Sequence, residues 1–264
     1  MPSPQYEIFA LRYARMDDRK QGDVLIFPDD HEAPMPLDFY VWAIRGEGRT
    51  IVLDTGFDAA SAARRGREWL RSPIDALAGL GIDAAEVEDV VLSHMHWDHA
   101  GHWSEFPKAK FHLQDTEMAY CTGRCMCHEP LRRPFEAEHV SMAVHHIFAE
   151  RVKFHDGTSE IAPGITLHLV GGHSGGLQIM RVPTARGWVV MANDATHFWY
   201  NIRKRSPFVL VHNLEKLIEG WVICEDLADG PDHIIPGHDP EVLRRFPKID
   251  GDPETVALHL PPAD

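Results

Sequence analysis

Four cysteines in a chain of 264 residues are too few to staple a fold with disulfides, so stability has to come from apolar packing. The 44% of hydrophobic residues is enough for a sizeable core. No apolar run approaches the roughly 20 residues of a membrane span, and the opening MPSPQYEIF has no basic segment leading into an apolar one. A cytoplasmic protein with no membrane partner is expected. Also missing are internal repeats, low-complexity tracts and a Pro/Gly-rich linker, so one domain over residues 1–264 is expected. Positive charge is scarce: 26 Lys and Arg against 40 Asp and Glu leave a formal net charge of −14, which disfavours nucleic acid and anionic lipid. The sharpest basic runs, Arg64-Arg65-Gly66-Arg67 and Ile202-Arg203-Lys204-Arg205, read as solvated faces. Three cysteines crowd together as Cys121, Cys125 and Cys127 beside His128, in a spacing that matches no zinc-finger or CxxC signature. They read as reduced loop thiols, with a third metal site or a redox pair as the alternatives.

Histidine is what the chain has in excess, 18 in all, and its placement follows the strands. Tyr6–Tyr13, Phe39–Ile44 and Thr50–Leu53 read as strands, the last ending in Asp54-Thr55-Gly56. Ser72-Pro73 reads as an N-cap and first helical position, opening a helix through Leu80 that stops at Gly81. Val87–Leu92 reads as a buried strand feeding Ser93-His94, Lys110–Leu113 as a strand before a helix near Thr116–Tyr120, and Glu136–Phe148 as a helix. Ile165–Val170 runs toward His173; Leu177–Val182 and Trp188–Ala192 form a hairpin that ends at Asp194. Leu214, Leu217, Ile218, Trp221 and Val222 recur at helical spacing behind an Asn213 cap, and His233–Ile235 delivers Gly237-His238. Four strand ends thus deliver imidazole or carboxylate, the ligands that borderline divalent metals prefer.

The densest signal is His94-Met95-His96-Trp97-Asp98-His99. Packed titratable side chains in a buried site each need a partner, and a cation supplies it. Isolated histidines such as His112, His155 and His168 read as core or surface residues instead.

With Asp54-Thr55-Gly56 upstream and His173, Asp194 and His238 following in order, the sequence resembles the metallo-β-lactamase superfamily over about residues 39–240. The resemblance implies an α/β fold, a four-layer αβ/βα sandwich of two mixed sheets with the metals at one edge. It implies two divalent ions, most simply zinc, although manganese, iron or cobalt would suit the same ligands. His94, His96 and His173 would hold one, Asp98, His99 and His238 the other, with Asp194 bridging and Asp54 orienting a ligand histidine. The contexts Asp194-Ala195-Thr196 and Pro236-Gly237-His238-Asp239-Pro240 look most like the N-acyl-homoserine lactonase branch, which would make the chain a quorum-quenching hydrolase. Those lactonases carry a tyrosine three residues after the bridging aspartate; here that place is His197.

The expected reaction is attack on a lactone carbonyl by a hydroxide shared between cations about 3.5 Å apart. Asp98 would shuttle the proton and His197 would donate to the oxyanion. Phe198, Trp199 and Tyr200 would wall the pocket or belong to the core, and Arg132 or Arg133 would meet a substrate carboxylate from a lid. The partner is a small lactone or related ester, and similar lactonases are often homodimers. The competing readings are a thioesterase or another ester, amide or phosphotriester hydrolase of the same superfamily, a mononuclear-iron persulfide dioxygenase, and a non-catalytic metal-binding module.

Overall fold

Strands with water on one face alternate in polarity, whereas Leu37–Gly46 reads LDFYVWAI before its first exposed residue, so both of its faces must be covered. The computed structural model, which describes residues 5–263, shows how. Residues 1–4 of the opening segment read above lie outside the described residues.

In chain order the strands are β1 (Glu7–Met16), β2 (Leu37–Gly46), β3 (Arg49–Leu53), β4 (Glu68–Trp69), β5 (Asp89–Val91), β6 (Lys110–Gln114), β7 (Val152–His155), β8 (Ser159–Ala162), β9 (Ile165–Leu169), β10 (Gln178–Thr184), β11 (Gly187–Asn193), β12 (Ile234–Pro236), β13 (Lys248–Ile249) and β14 (Asp252–Ala257). They form two mixed sheets. One runs β13-β14-β1-β2-β3-β5-β6-β7 with β4 beside β1, and the other runs β12-β11-β10-β9-β8. β3, β5, β6 and β7 are parallel, as is the β11–β12 pair, and the remaining pairings are antiparallel.

Between the sheets lies one apolar layer, with Ile8, Trp42, Ile44, Ile51 and Leu53 of the larger sheet meeting Leu167, Met180, Val182, Val189 and Met191 of the smaller. The outer face of the larger sheet is covered by helices α1 (Ala59–Arg65), α2 (Pro73–Gly79), α3 (Asp115–Thr122) and α4 (Ala137–Phe148), through Ala62, Leu77, Cys121 and Ala143. That of the smaller sheet is covered by α5 (Leu214–Leu227), through Cys224 against Ile179 and Val190. The four-layer αβ/βα sandwich is therefore present.

Local chemistry sets the ends. Ser72 accepts from the Ile74 N–H with Pro73 in the first turn, and Asn213 accepts from the Lys216 N–H, as the caps predict. Two readings differ. Val87–Leu92 contributes only a three-residue strand, because Ala84–Glu86 is a 3₁₀ turn. The apolar stripe of α5 is split: Leu217 and Trp221 are buried, while Leu214, Ile218 and Val222 are exposed, because the smaller sheet covers only one side of the helix. The chain after Pro240 adds β13 and β14, and β14 pairs with β1 through Leu11↔Thr255, a pairing set by contacts far apart in sequence. Among the described residues no helix is long and apolar enough to cross a membrane.

Candidate metal centre

All seven side chains singled out in sequence converge where four strands end. His94 follows β5, His173 follows β9, Asp194 follows β11 and His238 follows β12. Glycine makes two of these approaches possible. A Cβ on Gly237 would lie 2.5 Å from Asp194 Oδ1, and Gly172 has φ +89° with Leu217 N only 2.4 Å from where its Cβ would sit.

The carboxylate of Asp194 faces two ways. Its Oδ2 lies 3.1 Å from His173 Nε2 and 3.9 Å from His94 Nε2. Its Oδ1 lies 3.1 Å from His238 Nε2 and 3.5 Å from His99 Nε2. His96 joins the first set through Nδ1, 2.9 Å from His173 Nε2. Asp98 joins the second, 3.8 Å from both His99 Nε2 and His238 Nε2. The ligand atoms of His94, His96 and His173 all lie within 4.8 Å of one another, as do those of Asp98, His99 and His238.

The other ring nitrogens determine which tautomers are present. His173 Nδ1 donates to the Leu210 carbonyl at 2.9 Å and His238 Nδ1 to the Asp38 carbonyl at 2.8 Å. A carbonyl can only accept, so both Nε2 atoms present lone pairs inward. His99 Nδ1 lies 2.7 Å from Asp54 Oδ2, which orients that ring in the same way. Asp54 also accepts from the Ser93 N–H at 2.7 Å and from Asn193 Nδ2 at 2.7 Å, joining the ends of β3, β5 and β11.

Buried His94 Nε2, His99 Nε2 and Asp194 Oδ1 have no hydrogen-bond partner. Lone pairs pointed at one another out of water are costly unless something positive sits among them. The donor set, imidazoles sharing one two-faced carboxylate, fits two divalent cations. Burial disfavours an ionised Asp194, and positive charge around it, from the neighbouring imidazoles (His238 first) when they are protonated, draws its pKa well below the usual range.

His197 borders the same centre, with Nε2 3.2 Å from Asp194 Oδ2 and its ring stacked on Phe208 at 3.6 Å and 3°. Burial drives its pKa down to about 4 against the pull of Asp194, which leaves it a neutral imidazole with one N–H.

A cleft of about 340 Å³ opens over His96, Asp98, Asp194, His197 and His238, walled by Leu37, Phe39, Trp97 and Phe208. Arg19, Arg65, Arg67 and Arg133 line it as well. The reading of Arg64-Arg65-Gly66-Arg67 as a solvated face is thus corrected. Gly66 ends α1 in the left-handed conformation, and the turn carries Arg65 and Arg67 onto Trp97, at 4.4 and 5.7 Å from its ring centroid. The second basic run does face solvent, with Lys204 paired to Asp29 and Arg205 to Glu225. Arg132 donates to the carbonyls of Met126 and Cys127 in its own loop. Phe198 and Trp199 belong to the core.

Sequence reasoning missed Glu117. It is fully buried on α3 and accepts from the Met95 N–H at 2.8 Å, Ser174 Oγ at 2.8 Å and the Gly176 N–H at 2.7 Å. One carboxylate thus ties the loop carrying His94 and His96 to the loop carrying His173. No spacing rule reveals it, because two of its three partners are backbone N–H groups of distant loops. His112 and His155 form a buried pair away from the centre, and His168 contacts Thr158 and Thr166. All four cysteines are free, and no candidate ligand group among the described residues contains one.

The sequence profile of the metallo-β-lactamase superfamily matches residues 37–238. An N-acyl homoserine lactonase, AiiA, of Bacillus thuringiensis subsp. kurstaki is 26% identical over 136 residues, 51% of this chain and 49% of that protein. The match spans about half the length of this curated relative. The structure of a quorum-quenching N-acyl homoserine lactone lactonase superposes with TM-score 0.74 at 20% identity, covering 90% of this chain and 94% of the other. AidC, described as a dizinc quorum-quenching lactonase in complex with a product, superposes with TM-score 0.71 at 15% identity over 91% of each chain.

Proposed function

We propose, since this chain belongs to the metallo-β-lactamase superfamily, that residues 1–264 act as one domain that opens a lactone ring with the help of two divalent cations, most simply zinc. The observation that carries this is the two-faced Asp194, whose oxygens each meet a separate imidazole set. His94, His96 and His173 would hold one cation and Asp98, His99 and His238 the other. The lactonase character of AiiA and of the dizinc AidC supports the substrate class and the metal. Bound there, such cations supply Lewis acidity toward a carbonyl and toward water.

The remaining work belongs to the chain's own groups. Asp98 is the least buried of the seven, its side chain 12% exposed against 4% for His238 and Asp194. It is therefore the carboxylate that can take a proton from the attacking water and return it to the departing alkoxide. His197, neutral and bordering the cleft, has one N–H to offer the carbonyl oxygen as charge develops there. Asp54 and Glu117 hold the ligand loops in register.

Metal analysis of purified protein combined with a pH-stat screen over lactones and thioesters tests this. The expected result is two cations per chain and proton release with γ-lactones, with Asp98→Asn lowering kcat by about 100-fold or more, within the usual range for a lost general acid–base group. Only trace metal in replete protein, or thioester turnover without lactone turnover, would remove the reading.

A further inference from the structure

The metal centre explains Asp98 and Asp194, but it does not explain why a chain of net charge −14 lines the same cleft with arginines. Several guanidiniums elsewhere are neutralised by carboxylates, whereas Arg151, Arg181 and Arg186 are satisfied by backbone carbonyls instead. Arg12 pairs with Asp38 and Glu254, Arg45 with Glu7, Arg71 with Asp252 and Arg245 with Asp232. In the cleft only Arg65 is treated in this way, by Glu136. Among the described residues neither Arg19 nor Arg67 has a carboxylate within ion-pair distance. Arg67 is the sharper case. It is half-buried, its NH1 donates to the Arg65 carbonyl at 2.6 Å, and its Nε is buried with no partner.

Arg67 is also held in place. Its guanidinium lies 5.8 Å from the Phe39 ring centroid and 5.7 Å from that of Trp97, the residue between His96 and Asp98. A planar fork fixed over aromatic rings is preorganised for bidentate recognition of a planar anion, and little entropy is lost when one binds. Burying an arginine without a counter-charge is expensive, so a ligand that brings the charge recovers that cost. Three carboxylates of the cleft oppose this: Asp98 and Asp194, whose charge the proposed cations would offset, and Asp23, which already accepts from the Lys20 N–H at 3.0 Å. At about 340 Å³ the cleft lies at the small end of ligand pockets, which run from about 300 to 1,000 Å³.

Resting on the lactonase reading, we infer that the substrate is a compact lactone carrying a carboxylate, held by Arg67 with Arg19 adding to the positive potential, rather than a neutral lactone with a long acyl chain.

The probes are 5-oxotetrahydrofuran-2-carboxylate and its neutral primary amide, given to the metal-loaded protein in pH-stat turnover and in calorimetric binding. The expected result is a kcat/KM at least tenfold higher for the carboxylate. That preference should shrink as ionic strength rises from 20 to 300 mM NaCl and fall to near one in Arg67→Met, while Arg67→Lys retains part of it. Turnover of both probes at equal efficiency would overturn the anion inference and leave the lactonase reading intact. Tighter binding of the carboxylate without turnover of either probe, the preference lost in Arg67→Met, would uphold anion recognition and overturn ring opening. Neither binding nor turnover would overturn both. The salt dependence of the unmutated protein decides the matter if Arg67→Met does not fold.

Discussion

Glu117 shows how much of this site rests on one side chain that never reaches the cleft. Its carboxylate is surrounded by donors from two different loops, and burial pushes its pKa up against the lowering effect of those hydrogen bonds. Glu117→Ala would strand two buried backbone N–H groups and free the loops that carry His94, His96 and His173. A loss of about 3 kcal/mol is expected, the scale of unmade hydrogen bonds to a charged group. Urea unfolding checks it, and an unchanged midpoint would show that the loops hold their positions by other means. Asp54 plays the corresponding part on the second side of the centre, at a backbone φ of +60° that its hydrogen bonds to Ser93, Asn193 and His99 over-determine.

At the level of elements, the parallel run β3-β5-β6-β7 ends in an edge strand that buries imidazoles rather than apolar side chains. His155 of β7 faces His112 of β6 at 2.9 Å, His112 reaches Asp89 of β5 at 3.0 Å, and Ser159 at the start of β8 meets His155 at 2.6 Å. Burial, then the neighbouring His112 and Lys153, lower the pKa of His155 to about 4. The folded state therefore favours the neutral ring. The stability it contributes is complete above the ordinary histidine pKa near 6.5 and is lost as pH falls through that value toward 4. Lowering the pH from 7 to 5 should cost about 1 kcal/mol through this residue. His155→Gln should flatten that part of the stability profile in chemical denaturation, and an identical profile would show that β7 does not sense the charge.

The molecule as a whole places its candidate ligands at the ends of strands in both sheets and on the loop after β5, so the proposed cation pair would clamp the sandwich across its layers. Whatever binds only the folded chain stabilises it by mass action. Stripping the metals with a chelator should lower Tm by about 5–10 °C, a few kcal/mol for a chain of this size, and re-adding zinc should restore it. A Tm indifferent to chelation would mean that the cluster holds no cation strongly. The same clamp would let the seven donors tolerate one another inside a low-dielectric interior.

The sequence alone determined the candidate ligand residues, the caps at Ser72 and Asn213, most strand positions and the four strand exits, because each is written in local spacing or in side-chain chemistry within a few residues. The tertiary structure decided what depends on distant partners. It sets β14 against β1, gives Glu117 its backbone donors, buries one side of α5 and exposes the other, and turns Arg65 and Arg67 onto Trp97. A charge run reads as solvated until the surface it meets is known, since an arginine's environment is set by whatever packs against it and not by its neighbours in the chain.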